Sequence, residues 1–471
     1  MVRNDKTTRT GKLFFRYVVP STISMLTAGV YTLVDGFFVG WGAGDTGLAA
    51  INVAFPLSLL IVACGEMIGT GGAVAIALAR GRGNLRVADR LFGNMLILLV
   101  PAVLLLILLL PLLDPILIAA GAAPELLPAA RIYVQITMGG GFFMMATVCL
   151  VAAMRNDGAP RLAMGIMVAG LIANILLDYL FVLVFRGGVA GSAWATILAQ
   201  MICFLLALCY FGSERTHFRI RRTMFRLQPK LVHRIVTAGI PSFGVQISVA
   251  AVIFLHNRQT LLYGGVAAVA AYAIISYVES TILMLQQGIG TGIQPLISYL
   301  QGAGETRQRN SIAHRGLFAA VLIGVGGAVL SAGGSRIIPD LFNAGTETLH
   351  FAERGLLISA LVYPFLGIQK VSESYFQAIG RPGTASLLVY LDCFVVLPIS
   401  LLLLPHLFGT DGIWAAMPVS KLFMAAVVLL LQLLYKREEE YRKNPAVRQL
   451  RFNSALLLPS SGDIVKKATN T

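Results

Sequence analysis

The residues that could carry chemistry in this sequence are the few ionisable side chains inside long apolar stretches. Asp35 lies within LVDGFFVG (residues 33–40), and Asp178 lies within NILLDY (residues 174–179). Asn174 and Asp178 are four residues apart, so in a helix they share one face. A carboxylate beside a carboxamide suits a site for a small cation, because the carboxylate can hold a proton or offer oxygen ligands and the amide oxygen adds another.

The two carboxylates also influence each other if one bundle of helices contains both. Each repels the other when both are charged in a medium of low dielectric constant, which favours the uptake of a proton. The alternative is structural: Asp35 and Asp178 could be buried acids bonded to Ser, Thr or Tyr neighbours. A charge at the centre of a bilayer costs about 2.5 to 3.5 kcal/mol on insertion scales, so we interpret both acids as functional candidates.

The remaining ionisable residues of the apolar stretches have less specific patterns. Lys370 and Glu373 are three residues apart, which predicts an ion pair within one helix. Asp392 could cap a neighbouring helix or face a cavity. Glu66 and Glu279 could line a central cavity and attract cationic substrates, or be buried, bonded acids. Three further residues complete the set. We interpret His256 and Arg258 as structural, and Lys421 has no specific assignment.

The composition shows what kind of molecule must position these side chains. Of the 471 residues, 57% are hydrophobic and 13% are charged, whereas soluble domains carry about 25% charged residues. The net charge of +15 does not indicate nucleic-acid binding, because the basic residues lie in short segments between apolar runs. The five cysteines fall inside apolar stretches, without disulfide or metal-ligand spacing. The sequence therefore predicts an integral membrane protein.

Apolar stretches of about 20 residues predict twelve transmembrane helices and an all-α fold. Several of the stretches exceed 25 residues, so we expect tilted or kinked helices. The predicted spans are 14–41, 48–79, 91–113, 128–154, 163–185, 189–211, 233–262, 266–299, 312–333, 353–378, 384–405 and 412–435.

The distribution of Lys and Arg predicts the orientation. Most of them follow the even-numbered spans, so by the positive-inside rule both termini are cytoplasmic. We expect a multi-pass protein of the bacterial cytoplasmic (inner) membrane, whose first span is retained because the basic start runs directly into it. The predicted inside residues are Arg80, Arg82, Arg86, Arg90, Arg155, Arg161, Arg215, Arg219, Arg221, Arg222, Arg226, Lys230, Arg234, Arg307, Arg309, Arg315, Arg381 and the tail from Lys436.

An internal repeat relates the two halves of the chain. Short motifs recur at an offset of 221 or 222 residues, in register with the spans. Two copies of six spans enter the membrane in the same orientation, which predicts parallel repeats related by an axis along the membrane normal. We therefore expect an N-lobe (1–211), a basic cytoplasmic linker (212–232), a C-lobe (233–436) and a cytoplasmic tail (437–471). The recurring motifs are Pro20-Ser21 and Pro241-Ser242, 68–71 and 289–292, Gly81/Gly83 and Gly302/Gly304, Gly158/Pro160 and Gly380/Pro382, and Gly188/Gly191 and Gly409/Gly412.

With these motifs the chain resembles the multidrug and toxic compound extrusion (MATE) family over nearly its whole length. The resemblance rests on Pro20, the segment around Asp35, the repeated IGTG motif, the Asn174/Asp178 pair and the Gly188 loop. It implies alternating access between two lobes around a V-shaped central cavity, and export of amphipathic organic cations such as drugs and dyes in exchange for H⁺ or Na⁺. The expected protein is a monomer in membrane lipid, without a cofactor other than the coupling ion.

The resemblance also implies roles for particular residues. It places cation coupling, including a Na⁺ site if Na⁺ is the ion, at Asp35, Asn174, Asp178 and Thr196. Tyr133 resembles the tyrosine that lines the same cavity, and Pro20 the proline at which the first helix bends when the acids are protonated. Another branch of the family has an essential acid in the first helix of the second lobe. Here that stretch reads PSFGVQISV (241–249) without an acid, which favours a site in the N-lobe.

The substrate cavity is assigned less specifically, to Glu66, Glu279 and Met284. Two other functions are alternatives to the export of organic cations. A lipid-linked saccharide flippase of the same superfamily would often have two more helices and a cationic cavity, whereas the ionisable residues here are mostly acidic. An integral membrane enzyme would need a His/Asp or metal constellation at one membrane face, and none is visible. We therefore expect a transporter and not an enzyme, and the sequence leaves H⁺ and Na⁺ both open.

Overall fold

The computed structural model describes residues 8–119, 122–218, 222–341 and 345–443. Within these ranges the chain is almost entirely helical and has no strand, as expected where the backbone polar groups of a membrane-spanning chain must bond within their own segment. The helices are α1 (Thr10–Gly44), α2 (Thr46–Gly81), α3 (Leu85–Ala119), α4 (Leu127–Gly139 with Gly141–Asn156), α5 (Pro160–Val184), α6 (Gly188–Gly212), α7 (229–264), α8 (266–302), α9 (Thr306–Gly333), α10 (Thr346–Ala378), α11 (Pro382–Phe408) and α12 (Thr410–Lys443).

The number of membrane crossings follows from helix length. In the described part of the chain ten helices are long and apolar enough to cross a membrane, or eleven when the two pieces of α4, bent by 49°, count as one span. One of the ten, Pro229–Gly302, has 74 residues and at 1.5 Å per residue would be about 110 Å long, far more than a bilayer core of about 30 Å. It breaks at Gly265 into α7 and α8, so it crosses twice. The predicted all-α fold with twelve spans is confirmed.

The internal repeat is visible in the backbone. In the described part of the chain eight glycines have positive φ, a conformation that is easy only for a residue without Cβ. They form four pairs at the offset of 221 or 222 residues, so the chain turns at the same places in both halves. The break between α1 and α2 at Gly44 (φ 65°, ψ −166°) has its copy between α7 and α8 at Gly265 (φ 63°, ψ −161°). The other pairs are Gly83 with Gly304, Gly158 with Gly380, and Gly188 with Gly409.

Some of the predicted segments fall outside the described residues. The described residues up to 424 form one compact unit that contains both lobes up to the first part of α12, and the described residues from 425 onwards belong to another. Of the predicted tail, 444–471 lie outside the described ranges, as do residues 219–221 of the predicted linker. The orientation of the termini and the lobe boundaries stay predictions.

The two lobes touch through backbone at one end of their first two helices. A Cβ on Gly71 of α2 would lie 2.2 Å from the carbonyl oxygen of Ile235 in α7, and one on Gly302 of α8 would lie 2.3 Å from that of Leu78 in α2. Carbon and oxygen atoms cannot approach so closely, so only glycine allows this packing. The contact lies beside loops 82–84 and 303–305, and we call this side of the molecule the basic face. The lobes are therefore closed against each other at the basic face.

A buried carboxylate organises the N-lobe at the same face. Asp157 follows α4, its side chain is fully buried, and it forms an ion pair with Arg80 of α2 at 2.9 Å. Its other carboxylate oxygen accepts hydrogen bonds of 2.8 Å from Tyr210 of α6 and from Thr216 just beyond α6. The backbone N–H of His217 also donates to it. One side chain thus ties the ends of α2, α4 and α6 together.

The glycine contact generates a prediction about stability. Gly71→Ala should force α2 and α7 apart and lower the free energy of unfolding by about 1–3 kcal/mol, the range for overpacking a close contact. Thermal unfolding of the purified protein in detergent measures this. Gly165→Ala is the matched control, because a Cβ there meets no atom within 4 Å and alanine is the better helix former. Equal unfolding temperatures for the two variants would contradict the close packing of the lobes.

Candidate functional site

Asp35 lies in α1 and faces α6. Its carboxylate oxygen accepts a hydrogen bond of 2.7 Å from the hydroxyl of Ser192, whose side chain is fully buried. Tyr31 precedes Asp35 by four residues and therefore lies on the same face of α1. A carboxylate with a single hydroxyl donor in an apolar bundle keeps acceptor capacity for a further partner.

Asn174 and Asp178 of α5 are both fully buried. Their four side-chain oxygen and nitrogen atoms have no hydrogen-bond partner among the described residues. Leaving a buried polar group unpaired costs about 1–3 kcal/mol, and more for a charge. Immediately after Asp178 the helix widens into a π-helical turn, Tyr179–Val184, a local distortion that is frequent at functional sites. The pair therefore keeps hydrogen-bonding capacity for a further partner.

Tyr31 shows that the predicted residues converge. Its hydroxyl lies beside Thr196 of α6 and within electrostatic range of Asp35, Asp178 and Tyr133. Tyr133, in the first piece of α4, is itself within range of both acids. Residues from α1, α4, α5 and α6 thus form one polar pocket inside the N-lobe, and their role in coupling stays a prediction.

Sequence reasoning missed three members of this N-lobe pocket. Tyr31 and Ser192 are described above, and Ser58 of α2 lies beside the hydroxyl of Tyr133. Single hydroxyl residues are common in membrane helices, so their types alone carry no signal. The one available signal was spacing, because Tyr31 and Asp35 are one helical turn apart.

The N-lobe pocket has the chemistry of a site for H⁺ or Na⁺. Among the residues that the structure describes, no basic side chain acts on Asp35 or Asp178, so neither acid has a tethered cation as a partner there. Two carboxylates, one amide and neighbouring hydroxyls are hard oxygen ligands of the kind that bind Na⁺, and the same carboxylates can take up protons. The described residues include no group of three or more His, Cys, Asp or Glu that could hold a metal ion, which makes a transition-metal site a poor fit.

Pro20 lies in α1, which continues as a helix on both sides of it. The hydroxyl of Ser24 donates to the carbonyl oxygen of Pro20 at 2.8 Å. Its neighbours Val18 and Thr22 pack closely on Gly292 and Gly288 of α8. Proline removes one backbone hydrogen bond and is a common point of bending. A bend at Pro20 would thus act on the contact between the lobes, and its occurrence stays a prediction.

The residues predicted to line a substrate cavity lie in three different surroundings. Glu66 accepts a hydrogen bond of 2.8 Å from Thr70 in the same helix, as in the alternative of a bonded acid. Met284 of α8 packs against Gly29 of α1, between the lobes. Glu279 faces a cavity inside the C-lobe. Their common place in a substrate cavity stays a prediction.

The C-lobe pairs two of its acids with lysines. Lys370 and Glu373 of α10 form the predicted ion pair, at 2.9 Å. The expectation that Asp392 caps a helix or faces a cavity is wrong. Its carboxylate forms a buried ion pair with Lys421 of α12 and accepts a hydrogen bond of 2.8 Å from Ser420. The sequence could not reveal this pair, because its members lie on different helices.

Comparison with known proteins agrees with this architecture. Residues 20–180 and 241–404 match the family model MatE. The multidrug export protein MepA of Staphylococcus saprophyticus is 23% identical over 438 residues, which are 90% of this chain and 94% of that protein.

Two solved structures share the fold. An outward-facing multidrug resistance MATE transporter of the MOP superfamily has a TM-score of 0.87 at 22% identity, covering 92% of this chain and 97% of that one. A MOP superfamily transporter from Pyrococcus furiosus, for which the reverse polarity of its binding pocket suggests a different function, has a TM-score of 0.86 at 22% identity, covering 94% and 100%.

The buried Asp392–Lys421 pair generates a prediction about stability. Lys421→Met leaves a buried carboxylate without its cation, which should lower the free energy of unfolding by about 3–5 kcal/mol. Lys421→Met combined with Asp392→Asn should recover most of that loss, because no uncompensated charge remains. Thermal unfolding of both variants in the same detergent measures the difference. A double variant no more stable than the single one would show that the pairing does not stabilise the C-lobe.

Proposed function

Because the chain belongs to the MatE family of transporters, we propose that it is a cation-coupled antiporter that exports amphipathic organic cations by alternating access. The observation that carries the proposal is the N-lobe pocket, where Asp35 and Asp178 lie together and no basic side chain of the described ranges acts on them. Buried carboxylates are costly in a membrane protein and are retained where they bind ions or protons. MepA relatives are multidrug export proteins, which supports drugs and dyes as the substrate class.

Coupling requires that the ion bind the two states of the transporter with different affinities. The N-lobe pocket can provide this difference if its shape depends on α1. Asp35 and Tyr31 lie in the part of α1 beyond Pro20. The helix packs on α8 on both sides of this proline, through Val18 before it and Thr22 after it. A bend at Pro20 would therefore move Asp35 relative to Asp178 and also change the contact between the lobes. One monovalent ion moving down a potential of 100 mV contributes about 2.3 kcal/mol to the cycle.

The closed contact at the basic face indicates which state the structure represents. With the basic loops in the cytoplasm, as the positive-inside rule predicts, this state is closed to the cytoplasm. Gly239, Gly81 and Gly71 form its tightest contacts, where a Cβ would lie 1.9, 2.1 and 2.2 Å from a carbonyl oxygen of the other lobe. Opening towards the cytoplasm must separate these backbone contacts, which are the ones that only glycine allows.

The flippase alternative receives less support from the charges of the C-lobe. A lipid-linked saccharide carries phosphates, so its cavity would present free cations. Lys370 and Lys421 are both bound to carboxylates. The transporter for organic cations is therefore the function that the site supports best.

The proposal predicts the effect of removing the titratable groups of the N-lobe pocket. Asp35→Asn and Asp178→Asn keep the size of the side chain but cannot exchange a proton and bind a cation more weakly. Both variants should insert and fold, since removing a buried charge also removes its desolvation cost. Gradient-driven efflux should fall to the level of vesicles without the protein. The measurement is dye efflux from proteoliposomes, with the pH gradient and the Na⁺ gradient imposed separately.

Two controls accompany this experiment. Asp114→Asn is the matched substitution, because Asp114 is a half-exposed acid paired with Arg131 and outside the N-lobe pocket. Neutralising Lys370 and Glu373 together should also leave most transport intact, because they bind each other. Wild-type efflux by both N-lobe variants at normal expression would refute coupling in the N-lobe. The gradient that drives wild-type efflux identifies the ion.

A further inference from the structure

A second polar cavity lies inside the C-lobe, apart from the N-lobe pocket. It is enclosed by α7, α8, α10 and α12, and has room for about one water molecule. Its polar wall consists of His256, Tyr272, Glu279, Ser359 and Trp414. These residues are not needed for the proposed coupling in the N-lobe.

The internal repeat relates this cavity to the N-lobe pocket. At the offset of 221 residues that the glycines follow, His256 occupies the position of Asp35. At the same offset Glu279 of α8 occupies the position of Ser58 of α2. On the first helix of the repeat the N-lobe therefore has an acid, Asp35, where the C-lobe has His256. On the second helix the C-lobe has an acid, Glu279, where the N-lobe has Ser58.

The α12 side of the cavity repeats in the same way. Ile413 and Met417 line it, and at an offset of 221 they correspond to Ser192 and Thr196 of α6. Polar residues of the N-lobe pocket are replaced here by apolar ones. The C-lobe cavity therefore occupies the equivalent place in the fold but contains one carboxylate in a less polar wall.

Glu279 differs from the other acids of the C-lobe. Asp392 and Glu373 each bind a lysine, whereas Glu279 has no hydrogen bond or ion pair in the part of the chain that the structure describes. Lys421 acts on it electrostatically but is already bound to Asp392. Lys370 and Lys421 each pair with one of these acids, and Glu279 is the acid of the three that has no bonded partner among the described residues.

The remaining groups around Glu279 favour a proton over a metal ion. His256 donates its Nδ1–H to the carbonyl oxygen of Val252 at 3.0 Å, so the neutral ring presents Nε2 as an acceptor. Its ring is stacked on Tyr272 with centroids 4.9 Å apart. The buried Nε1–H of Trp414 has no hydrogen-bond partner in the described chain. Donors such as this do not ligate Na⁺, which needs several oxygen ligands, but they can bond to a carboxyl group or to a water beside it.

We propose that this cavity is a second proton-binding site, with Glu279 as the group that takes up the proton. Tyr272 of α8, His256 of α7, Tyr363 of α10 and Lys421 of α12 are the titratable groups that face it. The site goes beyond the coupling proposed for the N-lobe and does not depend on it. The C-lobe then binds a proton at the place in the repeat that the N-lobe pocket occupies, whichever ion the N-lobe takes.

Trp414 makes the site observable in the intact protein. The chain has three tryptophans, and Trp41 and Trp194 are 69% and 52% exposed, so Trp41→Phe and Trp194→Phe leave Trp414 as the reporter. In detergent, its emission should pass through one transition between about pH 5 and about pH 9, the range open to a buried carboxyl group. Glu279→Gln should remove the transition. Asp35→Asn and Asp178→Asn should leave it in place.

Other outcomes overturn the proposal. No transition in the reporter protein, or one that persists in Glu279→Gln, shows that Glu279 does not take up the proton. A transition that disappears in His256→Gln and persists in Glu279→Gln assigns the proton to the imidazole. If Glu279→Gln does not fold, Glu279→Ser replaces it, since serine is the residue at the equivalent N-lobe position. Efflux by the Asp35 and Asp178 variants tests the N-lobe separately, so either hypothesis can fail alone.

Discussion

The contact of backbone on backbone between the lobes is the constraint on which the rest of this structure depends. Gly71 and Gly302 bring α2 against α7 and α8 so closely that a single methyl group would separate them. This contact closes the basic face and fixes the position of α1, because Val18 and Thr22 pack on α8 in the same way. Tyr31 and Asp35 of the N-lobe pocket lie further along the same helix, beyond Pro20. Val18, Thr22 and Asp35 lie on this one helix, so a bend at Pro20 would change the lobe contact and the surroundings of Asp35 together.

The two lobes share a backbone but balance buried charge in opposite ways. In the C-lobe the cations are side chains of the protein and so are tethered to it: Lys370 and Lys421 each form an ion pair with one acid. Among the described residues no basic side chain acts on Asp35 or Asp178 of the N-lobe pocket, so these carboxylates have no tethered cation as a partner. A tethered cation cannot be exchanged between the two sides of a membrane, whereas a bound one can. The coupling proposed for the N-lobe rests on this difference, although the fold is duplicated.

Much of this architecture could be predicted from the sequence because its signals are local. Spans follow from runs of about 20 apolar residues, and Asn174 and Asp178 follow from helical spacing. Other features are set by neighbours that are distant in sequence. The hydrogen bond from Ser192 to Asp35 joins residues 157 positions apart, and the ion pair of Lys421 with Asp392 joins α12 to α11. The π-helical turns after Asp178 and at Asp392–Val396 were not predicted either. In such a turn the backbone hydrogen bonds join residues five apart and not four apart, and this leaves no trace in the hydropathy of the sequence.

The repeat contained more information than its identical residues. Matching glycines and prolines established the offset, because they preserve turns and close packing in both lobes. The functional differences lie where equivalent residues do not match: Asp35 against His256, Ser58 against Glu279, and Ser192 against Ile413. Identity at equivalent positions maintains the scaffold, which both halves need. Where equivalent residues differ, the two lobes have different polar side chains in their interiors. In this chain each of the two interiors still contains a carboxylate that can accept a further hydrogen bond or a proton.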